Sequence, residues 1–228
     1  MSISFSSLAF IFSTSFVALF PVLNPLSNVF IINDYFEDLD EKQRNIAARK
    51  LITNYLLIGL GTLAVGHIFL MIFGLAIPII QLGGGILICK TAIDLLSETK
   101  LSETNEETKQ VANASNQWEV TEGKLFYPIT FPISIGPGSI SVIFTLMATA
   151  SVKDNLLQTS ANYLFIGLVI VCLAFMLYFL LQQGQKLMQK MGPSLNQIIN
   201  KLVAFFTFCI GLQISVEGIS KIFHIAVL

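Results

Sequence analysis

The chain is short of charge. Of its 228 residues, 12% are Asp, Glu, Lys or Arg, where a soluble domain carries about 25%. A mean hydropathy of +0.75 points the same way, so a freely soluble globule is excluded and an integral membrane protein is expected. The net charge of −1 gives no reason to expect nucleic acid as a partner. Cysteine is scarce: Cys89, Cys172 and Cys209 stand apart in apolar runs, without the Cys-x-x-Cys spacing of a metal or redox site. They read as small buried hydrophobes. The two histidines, His67 and His224, are too far apart in sequence to suggest a metal centre. No Ser/His/Asp set, carboxylate pair or Cys/His cluster falls at membrane depth, and no Gly-x-x-x-x-Gly-Lys-Ser/Thr loop occurs. An enzyme, ATP hydrolysis, a cofactor and a bound metal are therefore not expected. Residues 1–32 contain no Lys or Arg, so the basic region of a signal peptide is missing and a retained first span is expected.

Long apolar runs take the place of charge. A bilayer core needs about 20 helical residues, and six stretches meet that length, at about 5–32, 51–73, 79–96, 125–150, 163–181 and 195–219. Between them lie a charged connector at 33–50, a polar, acidic linker at 98–123 and a basic connector at 182–193 that ends in the stop signal Gly192-Pro193. Residues 74–78 and Lys153-Asp154 read as turns. The acids of 34–41, followed by Lys42 and Arg44, resemble a helix start of the polarity the helix dipole favours.

Two of the runs are interrupted in the same manner. Phe20-Pro21-Val22-Leu23-Asn24-Pro25-Leu26-Ser27-Asn28 and Phe131-Pro132-Ile133-Ser134-Ile135-Gly136-Pro137-Gly138-Ser139 each put two prolines and small polar residues where a membrane helix should continue. Asn24 and Gly136 are 112 positions apart, as are Pro25 and Pro137. Proline lacks the N–H of a helix interior but is well placed in a first turn. Each motif therefore predicts one helix stopping and a half-helix beginning, its N-terminus inside the membrane.

A weaker match extends the repeat. Asp94 and Gln213 lie 119 positions apart at corresponding points of the third and sixth runs. Three spans per half is odd, so the second half enters the membrane the opposite way round. The expected architecture is all-α, six spans in two inverted three-helix repeats (1–97 and 124–228), with broken helices in spans 1 and 4 and a cytoplasmic linker at 98–123. Inverted repeats with broken helices near the midplane are the design of secondary transporters. Ten of the thirteen Lys and Arg residues fall on the side of 33–50, 97–124 and 182–201. The positive-inside bias then puts both termini outside the cytoplasm.

The remaining polar features admit plainer readings. Gly83-Gly84-Gly85 suits close helix packing. Lys90 and Asp94, one turn apart, include the main candidate for an ion-coupling carboxylate, Asp94, although both stand near one end of their run.

Asn24-Pro25-Leu26-Ser27-Asn28 resembles the Asn/Asp-Pro-x-Gly-Asn signature of the MarC family, and Pro132 through Gly138 resembles its Pro-x-x-x-Gly-Pro-Gly signature. Gly83 to Leu87, Ala92 to Leu96 and Leu212-Gln213 also fit, so the likeness runs over nearly the whole chain. Ser27 stands where that family usually has Gly, and Phe30 where it usually has Pro. The resemblance implies an inner-membrane transporter, since the SnatA branch carries small neutral amino acids. Half-helix N-termini, with a partial charge of about +0.5, suit the carboxylate of such a zwitterion. The expected substrate site comprises Asn24, Pro25, Leu26, Ser27, Asn28, Ser134, Gly136, Pro137, Gly138 and Ser139, with H+ or Na+ as the coupling ion. A passive channel, an exporter of other small solutes and a membrane scaffold or assembly protein are the alternatives.

Overall fold

The computed structural model describes residues 5–74, 76–97, 117–152 and 155–223, and among these the structure is helical, without strands. The first apolar run forms α1 (Phe5–Leu23) and α2 (Pro25–Tyr35), divided at Asn24. Asn24 has φ of 39°, a left-handed conformation that Asn tolerates better than most side chains. The chain bends by 43° across this break, and α2 restarts with Pro25 at its first position, where a missing N–H is harmless.

The start of α3 (Glu41–Phe73) is set by a reciprocal cap. Gln43 N donates to Asp40 Oδ1 at 2.7 Å, and Asp40 N donates to Gln43 Oε1 at 3.2 Å. Gly74, with φ of 60°, ends it in the left-handed conformation that Gly adopts without strain. Helix α4 (Ile77–Leu96) follows with Pro78 in its first turn.

The second broken run is more elaborate than its counterpart. Helix α5 (Gln117–Lys124) leads into a kinked π-helical segment, Leu125–Ser134, interrupted at Tyr127 and Phe131, and then into α6 (Pro137–Ala150) after a bend of 56°. Tyr127 and Phe131 are extended (φ −125°, ψ 122° and φ −116°, ψ 123°), because the proline after each crowds the helical region. Hydroxyls repair the disturbed ladder: Thr130 Oγ1 donates to Leu125 O at 2.6 Å and Ser134 Oγ to Ile129 O at 2.8 Å. Without water in a bilayer core, such carbonyls need a donor from the protein.

The last helical stretch is Leu156–Phe223, and within it α7 (Leu156–Gln183) and α8 (Lys201–Phe223) are each long and apolar enough to cross a membrane. With the two bent pairs counted as one span each, the described residues hold up to four such crossings. A straight rod of 68 residues would be about 100 Å long. Both segments instead pack on the other helices, so they are two helices rather than one rod.

Several expectations need adjustment. Residues 117–123, read as linker, form most of α5, whose Lys50–Glu122 ion pair ties it to α3. The expected stop at Gly192-Pro193 falls between α7 and α8, where the side chains lie outside the described residues. The rest of the linker, 98–116, the turn Lys153-Asp154, His224 and the His67 side chain lie outside the described residues.

Packing follows size rather than polarity. On α7, Ile166, Val169, Ile170, Leu173, Leu177 and Leu181 form one buried stripe, while Leu164, Leu168, Phe175 and Phe179 are exposed on the other face. A helix apolar all round is a membrane segment. Helices α4 and α8 run antiparallel and very close. A Cβ on Gly211 would fall 2.9 Å from the Gly85 carbonyl oxygen, and one on Gly218 would fall 2.7 Å from that of Pro78. Gly84 lies against Ser141 of α6, and Gly59 of α3 lies against Ile170 of α7 and Ile135 at the second break.

Candidate functional site

The two breaks meet. The buried Asn28, in the first turn of α2, donates from Nδ2 to Leu23 O at 2.7 Å, across its own break. The same amide makes a longer 3.5 Å contact with the carbonyl oxygen of Ser134, the last residue before the second break. One side chain thus closes a carbonyl left open by the first interruption and touches the second.

Two further contacts cross between the halves. Thr207 of α8 donates from Oγ1 to Pro21 O at 2.9 Å, while Ile88 of α4 packs on Gly138, its Cγ1 3.0 Å from where a Cβ would lie. Ile88 and Thr207 are 119 positions apart, the separation of Asp94 and Gln213. Each half's last helix therefore braces the other half's broken helix. Cys89 Sγ, one residue on from Ile88, donates to Phe208 O at 3.6 Å, again across 119 positions.

Of the expected site residues, Asn24 is the left-handed pivot and is buried, as are Pro25, Asn28, Ser134 and Ser139. Leu26 is half-buried, and the Ser27 side chain lies outside the described residues. Gly136 caps α6 with extended backbone, and a Cβ there would meet Pro132 O at 2.8 Å. Pro137 opens α6, followed by Gly138 and Ser139, whose amides have no acceptor within the helix by its geometry. The space beside Gly138 is filled by Ile88. The two motifs touch through Asn28 and Ser134, and each is followed by a helix start. Asp94 does not join them: it is half-buried on the last turns of α4, six residues or about 9 Å of helix rise beyond Ile88.

Some participants were not read from the sequence. Thr207 is one hydroxyl in an apolar run, and its 119-residue relation to Ile88 is the signal that marks it. Gln81 is fully buried and accepts from Lys221 Nζ at 3.2 Å, and Arg44 donates to Asn33 Oδ1. The first joins residues 140 positions apart and the second spans the turn between α2 and α3, so neither follows a helical spacing. Among the described residues no group of His, Cys, Asp or Glu could hold a metal.

Comparison with known proteins finds relatives that are named as membrane proteins. A UPF0056 membrane protein of Methanocaldococcus jannaschii is 25% identical over 209 residues, covering 91% of this chain and 95% of its own length. One from Buchnera aphidicola is 27% identical over 228 residues, covering 98% of each. The UPF0056 inner membrane protein MarC of Salmonella typhimurium is 21% identical over 210 residues, covering 90% and 92%. No solved structure matches the chain. The family model described as MarC family integral membrane protein matches residues 8–223, both breaks included, and the chain belongs to that family.

Proposed function

We propose that the chain is a secondary transporter of small neutral amino acids such as glycine and alanine, holding the substrate at the N-termini of α2 and α6. The observation that carries this reading is the reach of Asn28 from the first break to Ser134 at the second. It links the start of α2 to the end of the segment that precedes α6, which supports a shared site at the two half-helix starts. Orphan N–H groups and the helix dipole there favour a carboxylate. Asn24, Ser27, Asn28, Ser134 and Ser139 supply oxygens for the ammonium. No acid or base lies within either motif, which suits a substrate without net charge.

The crosswise bracing by Ile88 and Thr207, and the antiparallel packing of α4 on α8, support six spans in two inverted repeats. The base count supports termini on the non-cytoplasmic side. Coupling to H+ or Na+ is assigned to Asp94, the carboxylate of α4.

Counterflow in proteoliposomes tests the function. Vesicles preloaded with unlabelled alanine should accumulate labelled glycine or alanine transiently and saturably, with small side chains competing best. Uptake without counterflow would indicate a channel. Competition by bulky cationic drugs, with none by glycine, would overturn the amino-acid reading. For coupling, Asp94→Asn should abolish ion-driven accumulation and leave counterflow intact; unchanged accumulation would remove Asp94 from that role.

A further inference from the structure

A pocket of about 370 Å³ lies away from the breaks, where α3 meets α5 and the π-helical segment. Arg49 and Lys50 are the last charged residues of α3 before its apolar stretch, so they mark the level at which that helix enters hydrocarbon. Thr53 and Asn54 line the pocket one turn further in, and Glu122, Leu125 and Phe126 line it from the other side.

The charges in it are not equivalent. Lys50 is ion-paired with Glu122, and its ammonium stands 5.5 Å from the centre of the Trp118 ring. Glu122 is thereby neutralised. Arg49 makes no ion pair among the described residues and gives the pocket a net positive charge. The opposite wall is apolar: Phe126 is 54% exposed and Tyr127, next to it, 65%, continuing from the pocket towards the bilayer. Trp and Tyr at this depth are the usual residents of the headgroup layer.

A guanidinium and an amide at headgroup level, with an apolar wall open to hydrocarbon, match a phosphate joined to an acyl chain. A free phosphate would use the donors and leave the wall idle. We infer that the pocket between α3 and α5 binds the headgroup of an anionic phospholipid, with Arg49 and Asn54 on the phosphate and an acyl chain along Phe126 and Tyr127. Basic pockets between membrane helices hold lipid headgroups in this way.

Trp118 is the single tryptophan of the chain and serves as the probe. The full-length protein is reconstituted in phosphatidylcholine containing brominated phosphatidylglycerol or brominated phosphatidylcholine, whose bromines quench an indole on contact. The brominated anionic lipid should quench at a roughly five-fold lower mole fraction, as expected for one unpaired base near the surface. Arg49→Gln should bring that ratio close to one. Asn54→Leu, which retains the charge, should weaken quenching by both lipids. Inorganic phosphate added at constant ionic strength should not relieve it. Equal quenching by the two lipids in the native protein, or a preference that survives Arg49→Gln in a variant with unchanged Trp118 emission maximum, would overturn the site. Relief by inorganic phosphate would reassign it to a free phosphate and overturn the lipid reading.

Discussion

The Thr207 hydroxyl of α8 donates to the carbonyl oxygen of Pro21 at 2.9 Å, sharing its proton with Val203 O of its own helix at 2.8 Å. Pro21 O needs this donor because the residue four positions on is Pro25, which has no N–H to return. The break in one helix is thus kept open by a hydroxyl from another.

Removing that hydroxyl should cost stability at the break. Thr207→Val retains the shape and leaves the half-buried Pro21 carbonyl without its donor, at a cost of about 1 kcal/mol. Thr207→Ser should be close to neutral in folding and in transport. Thermal unfolding in detergent compares the two, and equal losses would show that shape rather than the hydrogen bond matters.

Restoring the backbone donor should have the opposite structural effect. Pro25→Ala returns an N–H within reach of Pro21 O, and Pro137→Ala removes the ring that opens α6, so each favours a continuous helix. Both variants should express and insert while losing counterflow. Normal transport by both would make the breaks mere kinks.

The three consecutive glycines of α4 should respond differently to one added methyl. A Cβ on Gly83 meets nothing within 4 Å, whereas on Gly84 it would fall 2.0 Å from Ser141 Cβ and on Gly85 2.6 Å from Gly211 O. Gly83→Ala should stay within about 0.5 kcal/mol of the native protein. Gly84→Ala and Gly85→Ala should lower the unfolding temperature markedly, because a neighbouring helix must move. Three equal responses would refute the close packing of α4 on α6 and α8.

Gly138→Val should abolish glycine and alanine counterflow. Its branched side chain competes with Ile88, 3.0 Å from the Cβ position, and closes the start of α6. Ile88→Ala in the same chain should recover thermal stability without recovering transport. Full recovery of both would assign Gly138 to packing alone.

For sidedness, single cysteines are introduced into a chain lacking Cys89, Cys172 and Cys209. Ser2→Cys and Leu228→Cys should react with an impermeant maleimide on intact cells, and Asn105→Cys only after permeabilisation. Reaction at residue 105 in intact cells would invert the proposed topology.

Much of this was legible in the residues because the signals are local. Proline forbids a helix interior whatever surrounds it, so Pro25 and Pro137 marked both breaks. Asp40 and Gln43 cap within their own turn, and Gly74 supplies the left-handed end of α3. The form of the second break was harder to read. Pro128 and Pro132 predict extended residues before them, but a π-helical path through 125–134 depends on Thr130 and Ser134 turning hydroxyls back to carbonyls five residues earlier. Helix α5 is hard to tell from linker because its eight residues are mostly polar and include Gly123; the Lys50–Glu122 pair and the Trp118 contact hold it on α3.

By itself the sequence determined the membrane class, the apolar segments, the positions of both interruptions and the family. Each of these depends on composition or on chemistry within a few residues, which no partner can reverse. Only the tertiary structure decided that the interruptions meet at Asn28 and Ser134, that Thr207 rather than a nearer residue serves Pro21, and that Gly84 and Gly85 are pressed by neighbours while Gly83 is not. In an apolar helix every face looks alike to a hydropathy pattern. Which face meets which neighbour is set by the fit of small residues and by the few donors able to reach an open carbonyl, and both exist only once the helices are packed.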